Sequence, residues 1–322
     1  MNVLPLDTLK RRADQNAYSI DDLDWARGVD FERHFFPEHL TPLSHTAVYA
    51  QLGPDERRIY NQLYGQMVNE QFIFLEDRFL VRMVGNLRRS TRLDLPADLL
   101  EALDVFVEEE VKHTEMFRRL ARLTCPERYE RSDYHFLRLG RAEDALLGFM
   151  ARRPDFFVFW CWMALAFEEK TVDYYRHYQR HQKERPDLPL DPLYTDVHRL
   201  HMLDEVRHVQ IDHHLIHAFY DRCGALLRGL NVRLLARTLR AYTRPARTNM
   251  RIVEDLARRC PRLAPLLGDM KAQLRALGRS ADWQSIVYSR KNAPQTFALF
   301  DEYPEMHALA GAVLLCYEPH TG

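Results

Sequence analysis

The chain has 322 residues, with 45 basic and 46 acidic side chains and a formal net charge of −1. No charge excess points to nucleic acid or an anionic membrane as an obligate partner. Glycine is scarce at 12, strand-like alternation is absent, and Leu, Ala, Arg and Glu dominate, so an all-α fold is expected. Cys125, Cys161, Cys223, Cys260 and Cys316 are scattered, odd in number and without C-x-x-C, which argues for reduced thiols in a cytoplasmic protein. No apolar stretch follows Lys10, Arg11 and Arg12, so no signal peptide is expected. The longest apolar run, 156–167, is too short for a bilayer and reads as a buried helix.

In chain order, residues 1–52 read as an irregular N-terminal extension with short helices and scattered aromatics (Tyr18, Trp25, Phe31, Phe35, Phe36). Gly53-Pro54-Asp55 opens a first long helix to about 87, with Pro in the first turn. A polar turn over 88–96 leads to a second helix, 97–123, ended by Cys125-Pro126. After a polar connector and a short helix at 143–150, Arg153-Pro154-Asp155 opens a third long helix to about 182. A Pro-rich linker, 185–192, precedes a fourth helix over 193–222. Shorter amphipathic helices follow, broken at Pro245, Pro261, Pro265, Gly278 and Pro294. With no repeat and no compositional break, a single domain over 1–322 is expected. Its four-helix core is 54–222, and helices in 224–322 pack on it and shape a pocket.

The fourth helix carries the densest chemistry. At about 100° per residue, His201, Glu205 and His208 fall within roughly a 60° arc. Imidazole and carboxylate together suit iron, manganese or zinc. A central Glu can bridge two ions while each flanking His binds one. A polar stripe on a surface helix is the bland alternative, since His198, His213, His214 and His217 also lie here.

The second helix repeats the motif with Glu110 and His113, on a face shared with Leu103, Phe106, Val107, Thr114 and Phe117. Burying an acid and an imidazole there is costly unless they are paired or metal-bound. Glu108 and Glu109 fall on neighbouring, more solvated faces.

The first helix offers Glu76 and Glu70. Glu76 has the more apolar flank and lies nearly level with residue 110 in the helical hairpin, so it is preferred, with Glu70 the alternate. The third helix offers Glu168 and Glu169. Glu168 is preferred by a thin margin because Cys161, Ala164, Leu165 and Val172 share its face. The expected metal-binding set is Glu76, Glu110, His113, Glu168, His201, Glu205 and His208. Four carboxylates neutralise two divalent ions, which makes burial tolerable. Asp204, Glu109 and Asp212 are candidates to orient the imidazoles.

Four helices with inward carboxylates, two carrying Glu-x-x-His, are the pattern of a carboxylate-bridged dimetal bundle. Glu110-x-x-His113 together with His201-x-x-x-Glu205-x-x-His208 resembles the p-aminobenzoate N-oxygenase (AurF-like) family of non-haem diiron oxygenases, over about 55–220. That family adds a His one turn before the second Glu-x-x-His, which acyl-carrier desaturases lack. A ribonucleotide-reductase-like radical subunit would have Tyr where Phe117 stands. Ferritins and rubrerythrins are smaller.

The resemblance implies a ferritin-like bundle holding two iron ions, with manganese possible. Its implied partners are O2, an external electron donor and a small-molecule substrate, most readily an aryl amine oxidised to hydroxylamine or nitro. No nucleic acid or membrane partner is expected, and a homodimer is possible. The alternatives are a diiron hydroxylase or desaturase acting on another, possibly carrier-tethered, substrate, and a metal-storage ferritin-like protein.

Overall fold

The computed structural model describes residues 3–89, 95–245 and 247–314, which are helix, turn or coil apart from one isolated β-bridge between His34 and Leu190. Cys316 and residues 90–94 of the polar turn lie outside the described residues. A short helix α1 (Leu6–Gln15) and a series of single turns make up the N-terminal extension. The first long helix is α2 (Pro54–Ile73), which passes through a π-helical stretch, Phe74–Val81, into α3 (Arg82–Arg88). Then come α4 (Ala97–Thr124), α5 (Pro126–Tyr129), α6 (Arg141–Ala151), α7 (Phe159–Glu184) and α8 (Pro192–Phe219). The C-terminal part contains α9 (Ala225–Tyr242), α10 (Arg247–Arg259), α11 (Leu267–Leu277), α12 (Ala281–Val287), α13 (Pro294–Glu302) and α14 (Pro304–Val313).

The four-helix core pairs α2 with α4 and α7 with α8, and α4 also packs on α8. Local chemistry starts these helices where it should. Pro54 and Pro192 occupy first-turn positions, and the Asp191 side chain accepts the Tyr194 amide as N-cap. Asp191 also accepts the Asp30 amide at 2.8 Å, tying the N-terminal extension to the start of α8. Asn61 on α2 grips that extension too, accepting the Phe35 and Phe36 amides and donating to the Phe36 carbonyl. Gly65 lets the two come together: a Cβ there would lie 2.6 Å from the Phe35 Cβ.

Two boundaries differ from expectation. The third long helix begins at Phe159, because Arg153 and Pro154 form a separate turn and Asn231 of α9 caps the Phe159 amide. The first helix is not uniformly α: eight residues around Glu76 are wound as π, a device that re-aims side chains at functional sites.

Two apolar cores flank the middle of the bundle. One contains Leu80, Leu103, Phe106, Trp162, Leu165 and Leu215; the other contains Phe36, Phe72, Phe117, Tyr178 and Tyr194. Burying each such large side chain contributes about 1.5–3 kcal/mol. This holds the polar layer between them rigidly. The C-terminal helices cover the bundle through α9 and α13 on α7, and α10 on α2. Among the described residues no helix is long and apolar enough to cross a membrane.

Candidate metal centre

Glu76, Glu110, His113, Glu168, His201, Glu205 and His208 come together from α2's π stretch, α4, α7 and α8, and all are buried. Two groups of four form among them. Glu76, His113, His201 and Glu205 make one, and Glu110, His113, Glu205 and His208 make the other, with ligand atoms in each within 4.8 Å of one another. Glu205 and His113 belong to both; of the two, Glu205 has two carboxylate oxygens with which it could serve two ions. Glu168 stands at the margin, its Oε2 3.9 Å from His208 Nδ1.

The atoms facing this space fit cations and little else. His201 Nε2 lies 2.5 Å from Glu205 Oε1 and 3.1 Å from Glu76 Oε1, yet none of these three atoms makes a hydrogen bond. His113 Nδ1, Glu168 Oε1 and both Glu110 oxygens are equally buried and unbonded. So many orphaned acceptors converging in a closed layer would each cost about 1–3 kcal/mol unless ions satisfy them.

The outward nitrogens are fixed. His113 Nε2 donates to Asp204 Oδ2 at 2.9 Å, and His208 Nε2 donates to Glu109 Oε2 at 2.9 Å. Since a carboxylate only accepts, both rings carry the proton on Nε2 and turn Nδ1 inward. Arg207 joins the two braces, bonding Glu109 and Asp204 together, and Lys112 reaches Asp204 at 2.7 Å. Rings from both cores wedge the ligands: Phe106 lies 4.2 Å from His208, and Phe72 and Phe117 lie 4.8 and 4.9 Å from His201.

Without ions, protons compensate the charge. Burial, then Glu110 and Glu205, push Glu76 well above the usual carboxylate range. Burial opposes the charged form of His113, but Asp204 and Glu205 outweigh it and raise His113 to about 9. Burial likewise opposes Glu205, yet His208 and His113 hold it at about 2. Burial, then the neighbouring imidazoles of His113 and His198, keep His201 neutral. Metal entry must displace these protons, so it is coupled to pH.

The alternates lie elsewhere. Glu70 accepts the Tyr129 hydroxyl and the Phe136 and Leu137 amides, pinning the connector. Glu169 accepts the Gln295 and Thr296 amides and the Thr296 hydroxyl at the start of α13. Two expectations need correction. Glu109 is buried, not solvated, because Arg207 and His208 pay its desolvation. Asp212 orients no imidazole through a hydrogen bond: both its oxygens are buried and unbonded, although it lies close enough to His208, Glu110 and Glu205 to feel their charge. Arg207 escaped sequence reading, although its place three residues after Asp204 on the same helix face was the available signal.

The profile of the family described as P-aminobenzoate N-oxygenase AurF matches residues 5–264. The chain belongs to the AurF family. Membership makes it an oxygenase or oxidase with a non-haem dimetal centre, and the AurF cofactor is a pair of irons. No curated protein sequence matches the chain. Among solved structures, one similar chain is a Tyr-to-Phe mutant of an R2-like ligand-binding oxidase with an aerobically reconstituted Mn/Fe cofactor. It has 16% identity and a TM-score of 0.45, covering 91% of this chain and 93% of that one. This AurF-family chain thus rests its chemistry on the family match and on its own buried cluster.

Proposed function

We propose that the chain is an N-oxygenase that uses O2 and electrons from an external donor to oxidise an aryl amine to the hydroxylamine or nitro level. The observation that carries the reading is His201 joined to both Glu-x-x-His pairs in one buried cluster, in a chain of this family. In this reading Glu76, His201 and Glu205 would hold one iron, and Glu110, His208 and Glu205 the other. His113 Nδ1 reaches both groups, and Glu168 completes the charge balance on the His208 side. The bound metal pair supplies dioxygen activation. The protein's own part is to fix the imidazoles through Glu109 and Asp204 and to exclude water with the two aromatic cores.

A cavity of about 290 Å³ lies between α2 and α7 on one side and α9, α10 and α12 on the other. Its walls are largely apolar, with Phe74, Leu75, Phe167 and Trp283 among them, and suit an aromatic ring. Phe72 stands between this chamber and the cluster, its ring 4.8 Å from His201 and 6.5 Å from the cavity-lining Tyr174. Two polar groups can orient a substrate. Lys170 Nζ bonds Asp173 at 2.6 Å and the Ile286 carbonyl at 3.1 Å, which leaves one of its three donors. Asn249 Oδ1 is buried without a hydrogen bond.

The test is iron-loaded protein given a chemical reductant, air and a panel of aryl amines, with products read by mass spectrometry. Hydroxylamine or nitro products carry the reading. Oxidation of carbon alone would move it to a hydroxylase, and iron uptake without any product would move it to metal storage.

A further inference from the structure

Away from the dimetal cluster, the last turns of α8 carry a second set of imidazoles. His213 and His217 are four residues apart and share a helix face, with ring centroids 4.8 Å apart. His213 is 5% exposed, and its Nε2 is buried with no hydrogen-bond partner. His217 is half-exposed, and its Nδ1 lies 3.1 Å from Asp221 Oδ2. The hydroxyl of Tyr303, between α13 and α14, donates to Asp221 Oδ1 at 2.8 Å and lies 3.2 Å from His217 Nδ1. Arg228 is 4.0 Å from Asp221 Oδ1 and 3.4 Å from Glu305.

An acceptor carboxylate at Nδ1 places the His217 proton there and leaves Nε2 with a free lone pair. Carboxylate–imidazole pairs of this kind commonly orient metal-binding histidines. Burial first, then the nearby His217 and His214, hold His213 down to about 4, so its ring is neutral at neutral pH. Two imidazoles one turn apart on a helix form a chelating pair for a borderline divalent ion.

We infer that His213 and His217, oriented by Asp221 and Tyr303, form a further site for one divalent transition-metal ion such as Zn²⁺ or Co²⁺, with water filling the remaining positions. An ion there ties the end of α8 to the α13–α14 corner through Asp221 and Tyr303. The dimetal ligands are not needed for it.

The probe is Co²⁺ added to protein already loaded with iron and desalted, followed by its visible ligand-field absorption and by metal analysis. The expected result is one Co²⁺ per chain beyond the iron pair. His217→Ala should abolish that equivalent, Asp221→Asn should weaken it about tenfold, and iron content should stay unchanged in both. His217 is exposed enough that its truncation leaves packing intact, and circular dichroism checks this. No additional equivalent in the parent protein overturns the inference. So does undiminished binding in His217→Ala, or a thiolate charge-transfer band placing the ion at a cysteine.

Discussion

Glu109 on α4 accepts the Nε2 proton of His208 on α8 at 2.9 Å, while Asp204 on α8 accepts that of His113 on α4 at the same distance. Each helix thus orients the other's imidazole, using the residue directly before its own inward Glu. Arg207 bonds both carboxylates, so they form one unit. Removing either brace should lower iron affinity about 10–100-fold with helicity unchanged. Competition between Glu109→Ala or Asp204→Ala protein and a chromophoric chelator measures this. Parent-like affinity in both would mean the rings are held by packing alone.

Adjacent acids on α7 should behave in opposite ways. Glu169→Ala removes the acceptor for two amides and a hydroxyl at the start of α13, and should destabilise the fold by about 1–3 kcal/mol with iron content intact. Glu168→Ala should lower iron content with little loss of stability. Urea unfolding and metal analysis on the two variants separate the roles.

His201→Ala should lose bound iron and oxygen reactivity while far-ultraviolet dichroism stays nearly constant, because His201 packs against Phe72 and Phe117 but makes no hydrogen bond to the scaffold. His213→Ala, on another face, should keep the iron pair. Retention of both irons and full activity in His201→Ala would remove the most specific support for an amine-oxidising site.

His198 supplies a pH test of stability. It is buried among Phe36, Phe72, Phe117 and Tyr178, neither nitrogen has a hydrogen bond, and burial lowers it to about 3. The unfolded chain protonates this imidazole below about 6.5 and the folded chain does not until about 3. Stability from this group is therefore full above about pH 6.5 and is lost as pH falls, by up to about 1.4 kcal/mol per pH unit. His198→Phe keeps the ring in its aromatic cage. It should reduce the stability difference between about pH 7 and about pH 4.5 by up to about 3 kcal/mol, read from urea midpoints.

Lys170→Met should raise KM for amines bearing an acceptor group at the far end of the ring more than for unsubstituted amines. It should leave iron content unchanged. Equal effects on both amine sets would detach Lys170 from substrate orientation and reduce it to holding Asp173 and the Ile286 carbonyl.

Much of the site follows from spacing. A helical repeat fixes which residues share a face, so His201, Glu205 and His208 had to converge once the fourth helix formed, as did Glu110 and His113. Helix ends were equally local where Pro54, Pro192 and Pro126 occupy first turns. Periodicity does not say what meets a face from elsewhere in the chain. Glu70 and Glu169 are buried acids like Glu76 and Glu168, but amides 66 and 126 residues away claim them. The π winding around Glu76, the burial of Glu109 by Arg207, and the cavity beneath the C-terminal helices also arise from contacts between distant segments. The sequence by itself determined an all-helical chain and the inward stripes of its second and fourth helices, because a helix repeats every 3.6 residues. Only the tertiary structure decided which lone acids join those stripes and which acids brace them, because a buried carboxylate's role is set by the donors that reach it.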